Sequence, residues 1–376
     1  MGNSIKMVDL NGQYVKIKNE IDQAIIDVIS SSAFIDGKPV EAFAGELAGY
    51  TGAKYVVPCA NGTDALQIAY QTLGLVPGDE VLMPVFNYVA SAEAAALLGI
   101  KPVFVDVCGK TFNLDENLIK ERITSATKVI VVVHLFGQSA NMESILGIAN
   151  QFGLKVIEDN AQSLGSYFTF SNGERKMTGT MGDISTFSFF PTKNLGCFGD
   201  GGALASNNQD LALKAKMISH HGQGQKYAYD MIGCNSRLDT VQAAILRVKL
   251  RNLPDYIISR CKAGDRYNQL LTGLNRIIIP TKNSWSHHTY NQYVIKLEER
   301  DKIRDLLNKS GVPSMIYYPS PLHLQKAYAY LGYNSGDFPV AEKLCREVLA
   351  LPIHTEITPW QQEYVVNSLI HSLNSL

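Results

Sequence analysis

The sequence predicts an α/β fold in which a mostly parallel sheet of seven strands carries helices on both faces and precedes a smaller α+β domain. Three observations lead to this prediction. The length of 376 residues exceeds what one small core can fill. Short β-branched runs alternate with helical stretches over the first two thirds, as in parallel sheets covered on both faces. The alternation stops near residue 254, so we expect a large domain at 1–253 and a small domain at 254–376.

The strands of the predicted sheet are seven apolar runs at 54–59, 80–85, 102–107, 128–134, 155–158, 184–189 and 202–206. Helical patterns stand between them at 63–73 and 90–98. A long amphipathic helix is predicted at 238–253, ended by Pro254. In the small domain the pattern predicts a strand at 292–297, a helix at 300–309 that Gly311 stops, and a strand near 313–318.

Composition excludes several classes of protein. A net charge of −1, with 18% charged residues, gives no electrostatic reason to expect nucleic acid or an acidic membrane as partner. Residues 1–13 lack the apolar core of a signal peptide, and no apolar run approaches the ~20 residues of a membrane span. The six scattered cysteines and the His220-His221 and His287-His288 pairs lack metal-site spacing. We therefore expect a cytoplasmic protein with free thiols and no metal.

The most informative segment is STFSFFPTKNLGCFGDGGAL at 185–204, where Lys193 follows a strand and precedes a cluster of glycines. Most loop lysines are solvated surface charges, but Phe189, Phe190 and Phe198 surround this one in sequence. A Schiff-base lysine needs such an apolar setting, because its pKa must fall from ~10.4 toward ~7–8 to supply free amine. The glycines follow the lysine and lead into a strand, which excludes a P-loop and a dinucleotide fingerprint. Lys193 is therefore the candidate covalent anchor for pyridoxal phosphate (PLP).

Three other segments also follow predicted strands, where ligands of such sheets bind. Asp159 could pair with a protonated pyridine nitrogen, or it could simply cap the following helix. The strand–helix turn at 60–64 could cradle a phosphate, although most such turns bind nothing. Tyr88 could stack on a flat ring or belong to the core. Each signal is weak alone.

Taken together and in this order, these segments resemble the DegT-type sugar aminotransferase family of fold-type I PLP enzymes. The resemblance covers nearly the whole chain and rests on the motifs NGTDAL at 61–66, EDNAQS at 158–163, SFFPTKNLGCFGDGGA at 188–203 and GCNSRLDTVQAAIL at 233–246. Two positions depart from the family pattern: Asn87 stands where many members have Thr, and Asn160 where many have a small residue. Lys193 argues against the branch that carries His there and dehydrates sugars.

The resemblance implies a role for each matched residue. Lys193 would be the Schiff-base lysine and proton shuttle, and Asp159 the partner of the ring nitrogen. The other cofactor contacts would be the backbone of Gly62 and Thr63 and the hydroxyl of Ser188 at the phosphate, Tyr88 stacked on the ring, Gln162 near its phenolic oxygen, and Asn235 at the phosphate of the neighbouring subunit. The last contact implies a homodimer with shared active sites.

The resemblance also implies a ping-pong transfer of the amino group of L-glutamate to a nucleotide-linked keto sugar. The stretches at 219–246 and 317–325 are most similar to members acting on 3-keto sugars. UDP-2-acetamido-2-deoxy-3-oxo-glucuronate is favoured, since Arg237 could pair with its carboxylate. A dTDP-linked 3-keto-6-deoxyhexose stays open, because the same arginine occurs in members whose substrates lack a carboxylate. Further candidates for sugar or nucleotide contacts are His221, Tyr317, Tyr318 and His323.

The expected pathway is the synthesis of a surface polysaccharide, such as lipopolysaccharide, or of a glycoconjugate. Two other classes of protein stay open. A non-catalytic PLP-binding regulatory protein would need a partner-binding element such as a basic helix-turn-helix, and the sequence offers none. A nicotinamide oxidoreductase on the same sheet predicts NADH binding and no visible absorbance band from a lysine-bound cofactor.

Overall fold

The computed structural model describes residues 5–376. The sequence argument against a signal peptide uses residues 1–13, and the first four of these lie outside the described range. The strands of the structure are β1 Tyr55–Cys59, β2 Glu80–Pro84, β3 Lys101–Val105, β4 Thr127–Val133, β5 Lys155–Asp159, β6 Tyr167–Thr169, β7 Arg175–Met177, β8 Ile184–Ser188, β9 Gly202–Ser206, β10 Gln223–Gln225, β11 Ala228–Tyr229, β12 Ser286–His287, β13 Tyr293–Lys296 and β14 Val348–Leu351. Its helices are α1 Leu10–Lys16, α2 Lys18–Ser31, α3 Lys38–Thr51, α4 Gly62–Thr72, α5 Ala90–Leu97, α6 Met142–Phe152, α7 Gln209–Ser219, α8 Thr240–Leu271, α9 Arg300–Lys309, α10 Pro339–Glu347 and α11 Pro359–Asn374.

The central sheet has seven strands in the order β1-β9-β8-β5-β4-β2-β3, and it contains all seven strands that the sequence predicts. Strands β8, β5, β4, β2 and β3 pair in parallel, while β9 runs antiparallel to both of its neighbours. The carboxyl ends of β5, β8 and β1 therefore meet at one edge of the sheet. Ligands of such sheets bind at this edge.

Both faces of the sheet are buried, as predicted. Along β4, Val129 and Val131 pack in the same core cluster as α4 and α5, while Ile130 and Val132 pack in the cluster that contains α6. The alternation follows from the two-residue period of a strand, and a strand buried on both faces reads as an unbroken apolar run. The hydrophobic run KVIVVV therefore lies in an interior strand of the sheet.

The predicted end of the long helix at Pro254 is wrong, because α8 continues unbroken to Leu271 with the proline inside it. An interior proline costs a helix about 3 kcal/mol. The buried face of α8 continues on both sides, with Leu250, Leu253 and Ile257 in one core cluster, and burying each such side chain contributes ~1.5–3 kcal/mol. Tertiary packing therefore outweighs the proline. The domain boundary after residue 253 falls inside this helix and stays a prediction.

The C-terminal part builds its own core around the antiparallel pair of β13 and β14, covered by α9 and α11. Helix α9 spans the predicted residues, and Gly311 follows it in the left-handed conformation, with φ +73°. The strand predicted near 313–318 is wrong: only Met315 forms a bridge, with Ala350 of β14. The chain then leaves the pair, and Tyr318 packs against the core of the central sheet instead.

No helix within residues 5–376 combines the length and apolarity that crossing a membrane requires. All six cysteines lie in the described part of the chain and are free thiols, as the sequence predicts.

Candidate functional site

The lysine loop between β8 and β9 is closed tightly at its base. The amide of Phe189 donates to the carbonyl of Gly201 (2.7 Å), and the amide of Cys197 donates to the carbonyl of Phe189 (2.7 Å). A Cβ on Gly196 would lie 2.4 Å from the carbonyl oxygen of Pro191, so only glycine fits there. These contacts fix the backbone from which the Lys193 side chain extends.

The amine of Lys193 lies in a low-dielectric pocket near a single strong countercharge. Burial lowers the pKa of Lys193 to about 8, and the charge of Asp159 acts in the opposite direction. The direction of this shift is the one that the phenylalanines around the lysine lead us to expect. A fraction of this amine is thus unprotonated near neutral pH, as a nucleophile that attacks a carbonyl carbon must be.

Asp159 ends β5 and is buried at the same edge of the sheet. Its Oδ2 accepts a hydrogen bond from Ser91 Oγ (2.9 Å), and its Oδ1 accepts one from the amide of Ala161 (3.2 Å). Burial raises the pKa of Asp159, and these two hydrogen bonds and the charge of Lys193 counter part of that rise. The carboxylate is therefore held in one orientation and benefits from a nearby cation.

The N-terminus of α4 forms an anion cradle beside these two residues. Asn61 Oδ1 caps the helix by accepting from the amide of Asp64 (2.8 Å). The amides of Gly62 and Thr63 donate to no atom within residues 5–376, which leaves them free for a ligand. A Cβ on Gly62 would lie 2.7 Å from Cβ of Ser188, so the turn approaches the end of β8 closely. Free amides and the helix dipole favour a phosphate here.

Two aromatic side chains and an amide, those of Tyr88, Tyr318 and Gln162, form a second cluster. Tyr88 is 57% exposed, and its ring lies 6.3 Å from that of Tyr318 at an angle of 40°. Gln162 Nε2 donates to the hydroxyl of Tyr318 (3.1 Å), and Gln162 Oε1 accepts from the amide of Phe136 (2.8 Å). The exposed face of Tyr88 is thus available for stacking, and Gln162 is held in place at both ends.

The segment around Asn235 is joined to the cradle, since the amide of Ala60 donates to Ser236 Oγ (3.1 Å). Asn235 Oδ1 accepts from Arg237 Nε (3.2 Å), and Arg237 also lies 3.8 Å from a carboxylate oxygen of Asp36. His221 adopts a φ of +63° and donates its amide to the carbonyl of Cys234 (2.8 Å). The roles predicted for these residues stay predictions.

Two of the predicted substrate residues have other contacts. His323 is buried, with Nε2 at 3.1 Å from Glu342 and its ring 4.7 Å from that of Phe338. Its imidazole thus has partners within the fold, and substrate contact by His323 stays a prediction. Tyr317 packs edge-on against Tyr318, with ring centroids 6.0 Å apart.

Sequence reasoning missed a buried pair beneath the site, Glu158 and His134. Glu158 accepts from His134 Nε2 (2.9 Å) and from three backbone amides, those of Gly179, Met181 and Gly182. Burial alone would raise the pKa of Glu158, but these donors hold it below its usual range. His134 Nδ1 accepts from the amide of Ala140 (3.2 Å), so its proton resides on Nε2. The pair ties β4, β5 and the loop after β7 together.

The arrangement fits PLP, with an amine for its carbonyl, a carboxylate for its ring nitrogen and free amides for its phosphate. No group of His, Cys, Asp or Glu side chains in the described range 5–376 has the geometry to hold a metal ion.

Several known proteins are similar to this chain. The model of the DegT/DnrJ/EryC1/StrS aminotransferase family matches residues 15–370. The chain is 42% identical to a UDP-2-acetamido-2-deoxy-3-oxo-D-glucuronate aminotransferase of Pseudomonas aeruginosa, covering 93% of this chain and 95% of that protein. It is also 42% identical to a pleiotropic regulatory protein of Geobacillus stearothermophilus (97% and 98%) and 39% identical to a dTDP-3-amino-3,6-dideoxy-alpha-D-galactopyranose transaminase of Aneurinibacillus thermoaerophilus (97% and 98%).

Solved structures with the same fold include S. venezuelae DesV in complex with a ketimine intermediate, at 35% identity and a TM-score of 0.95, with 98% of both chains covered. Another is NtdA from Bacillus subtilis with bound cofactor PMP, at 31% identity and a TM-score of 0.90, covering 100% of this chain and 86% of that one.

Proposed function

This chain belongs to the DegT/DnrJ/EryC1/StrS aminotransferase family, and we propose that it moves the amino group of L-glutamate to UDP-2-acetamido-2-deoxy-3-oxo-glucuronate by a ping-pong mechanism. It is a PLP-dependent sugar aminotransferase acting on nucleotide-linked 3-keto sugars. The observation that carries the proposal is the half-buried amine of Lys193, with a pKa of about 8, facing Asp159 at the edge of the sheet that holds the anion cradle.

Different residues would hold different parts of the cofactor. Lys193 Nζ would bind its carbonyl carbon, Asp159 its ring nitrogen, and the amides of Gly62 and Thr63 with the hydroxyl of Ser188 its phosphate. When bound, PLP supplies an electron sink that stabilises negative charge on the substrate carbon. The protein supplies orientation and charge around it.

Lys193 also moves the proton. Once an amino donor has displaced it, Lys193 Nζ would take the proton from the α-carbon of glutamate and pass it to the cofactor; in the second half-reaction Nζ would take a proton back from the cofactor and deliver it to C3 of the sugar. A pKa of about 8 suits both directions, because neither the free amine nor the ammonium form is rare near neutral pH. The kinetics are ping-pong because the 2-oxoglutarate formed from glutamate leaves before the keto sugar reacts at the same site.

The choice of UDP-uronate has two supports. The relative that is 42% identical is named for that substrate, whereas the dTDP-sugar transaminase is 39% identical. Arg237 donates Nε to Asn235, and its Nη1 lies 3.8 Å from Asp36, beyond hydrogen-bonding distance, so its terminal N–H groups could donate to a substrate carboxylate. A dTDP-linked 3-keto-6-deoxyhexose is the alternative substrate. A pathway to a surface polysaccharide, such as lipopolysaccharide, or to a glycoconjugate, and a cytoplasmic location, belong to the same proposal.

A homodimer with shared active sites is also part of the proposal. The hairpin of β10 and β11 and the turn after it expose three large apolar side chains, Tyr227 (77%), Tyr229 (61%) and Ile232 (88%). Exposed apolar patches of this kind mark interaction surfaces. Asn235, predicted to reach the phosphate of the neighbouring subunit, lies only three residues after Ile232.

A regulatory role without turnover is the second candidate. One observation favours it: the relative from G. stearothermophilus, 42% identical, is named a pleiotropic regulatory protein. This chain has both the amine and the buried carboxylate that amino transfer requires, in Lys193 and Asp159, so the aminotransferase is the first candidate.

The substrate proposal is tested by running the reaction in reverse, with 2-oxoglutarate as amino acceptor. The panel consists of UDP- and dTDP-linked sugars that carry the amino group at C3 or at C4. We expect UDP-2-acetamido-3-amino-glucuronate to give the highest kcat/KM. A higher value for a dTDP-linked 3-amino-6-deoxyhexose would establish the alternative, and a preference for 4-amino sugars would contradict both.

Arg237→Gln should weaken binding of the uronate selectively. Losing a charge-assisted pair costs roughly 1.5–3 kcal/mol, which corresponds to about a 10- to 150-fold rise in KM for the uronate. The matching UDP-sugar with a neutral hydroxymethyl group should show a change within about twofold. Arg251→Gln is the control, because Arg251 lies on the surface and pairs with Glu20. An equal rise in KM for both sugars would show that Arg237 does not bind the carboxylate.

A further inference from the structure

Behind Asp159 lies a short chain of buried hydrogen bonds that the mechanism above does not use. Ser91 Oγ donates to Asp159 Oδ2 at 2.9 Å, and Asn87 Nδ2 donates to Ser91 Oγ at 3.0 Å. All three side chains are buried. Ser91 lies in the first turn of α5, and Asn87 lies in the bend before that helix, so the hydrogen bond between them joins the loop after β2 to the start of α5.

The hydrogen bonds from Asn87 through Ser91 to Asp159 all run in one direction. An ionised carboxylate only accepts hydrogen bonds, and the nitrogen of a side-chain amide only donates them. The hydroxyl of Ser91 therefore accepts from Asn87 and must point its proton at Asp159. The hydroxyl of Tyr70 donates to the backbone carbonyl of Ser91 (2.8 Å), which holds this part of α5 from the other side.

We propose that Ser91, oriented by Asn87, is a positioning residue that keeps the carboxylate of Asp159 ionised and turned toward the ring nitrogen of the cofactor. This inference rests on the role proposed above for Asp159. With Oδ2 held by Ser91 and Oδ1 by the amide of Ala161, the carboxylate cannot rotate without breaking a hydrogen bond. Thr at position 87 would present a hydroxyl that can donate or accept, whereas Asn fixes the direction.

These hydrogen bonds would determine whether the proton between Asp159 and the ring nitrogen lies on the carboxylate or on the nitrogen. The titratable groups that face Asp159 are Lys193, His134, Tyr70 and Tyr318. None of them makes a hydrogen bond to its oxygens. Removing the hydroxyl of Ser91 destabilises the carboxylate relative to its protonated form, so the proton moves from the ring nitrogen toward Asp159.

The test uses enzyme loaded with PLP that carries ¹⁵N in its ring, and it measures the ¹⁵N chemical shift at pH 8. In the wild type we expect the shift of a protonated nitrogen. Ser91→Ala should move it toward the unprotonated value and lower kcat roughly tenfold, with KM for glutamate within about twofold, as expected for loss of one hydrogen bond to a charged group. Ser91→Thr should restore the wild-type shift, and Asn87→Ala should produce a smaller displacement in the same direction.

Ser372→Ala is the matched control, since Ser372 is also a buried helical serine, with its hydroxyl on the carbonyl of Ser368 in α11. It should leave the shift unchanged. If Asp159→Asn displaces the signal but Ser91→Ala and Asn87→Ala do not, the positioning role is overturned and the role of Asp159 stands. If Asp159→Asn itself leaves the signal in place, the proposed role of Asp159 fails, and the inference about Ser91 fails with it.

Discussion

Lys193→Ala should abolish amino transfer and remove the covalently bound cofactor while the protein stays folded. In the proposed mechanism Lys193 is both the nucleophile that binds the cofactor and the base that moves the proton, and general acid–base catalysis alone contributes typically 10²–10⁴-fold. We expect a fall in kcat of at least about 10⁴-fold. The free energy of unfolding should change little, because the variant no longer has to bury the amine whose desolvation lowers its pKa to about 8. The measurement is borohydride reduction of PLP-treated protein followed by mass spectrometry.

Lys249 provides the control for this variant, because it is the other lysine whose pKa burial lowers to about 8. Its Nζ donates to the carbonyl of Gly196 (2.6 Å) at the base of the lysine loop. Lys249→Met should keep the reducible adduct on Lys193. A reduced adduct on Lys249, or on any other lysine of Lys193→Ala, would show that the anchor lies elsewhere.

Asp159→Asn should retain the cofactor on Lys193 but slow transamination steeply. An amide cannot stabilise a protonated ring nitrogen as a carboxylate does, and contact with an opposite charge shifts a pKa by ~1–3 units. We expect kcat to fall by about 100-fold or more, with the reducible adduct unchanged. Asp210→Asn, an exposed position on α7, is the matched control and should be neutral.

The same variant should shift the pH dependence of cofactor capture. The charge of Asp159 raises the pKa of Lys193 against the larger effect of burial, so removing that charge lowers the pKa below about 8. Capture of PLP by apoenzyme requires the free amine, so its rate rises as pH increases through this pKa. In Asp159→Asn the rise should occur at lower pH than in the wild type. A rise at the same or higher pH, or near-normal kcat, would be inconsistent with the role assigned to Asp159.

The sheet could be predicted from sequence because its signal is local. Each of its seven strands is a short apolar run, and the rule that ligands bind at the carboxyl ends of parallel strands directs attention to Asp159 and the turn at 60–64. Lys193 follows for the same reason, since it comes shortly after β8 with apolar neighbours on both sides. These parts of the site need no knowledge of distant contacts.

Other parts depend on contacts that no local pattern reports. Ser91 and Asp159 are 68 residues apart in sequence, and nothing around Ser91 distinguishes it from another serine at the start of a helix. Helix α8 passes through Pro254 because a continuous buried face on both sides of the proline outweighs its local cost. Residues 313–318 have strand-like composition, but Tyr317 and Tyr318 pack against the core of the central sheet instead.

The most direct test of the account is the first half-reaction in the absence of any sugar. Enzyme loaded with PLP is mixed with L-glutamate, and the 2-oxoglutarate formed and the state of the cofactor are measured. We predict one 2-oxoglutarate per active site and recovery of the cofactor as pyridoxamine phosphate, with neither product in Lys193→Ala. Formation of no more 2-oxoglutarate than that variant yields would contradict the aminotransferase mechanism and favour a regulatory protein that binds PLP without turnover.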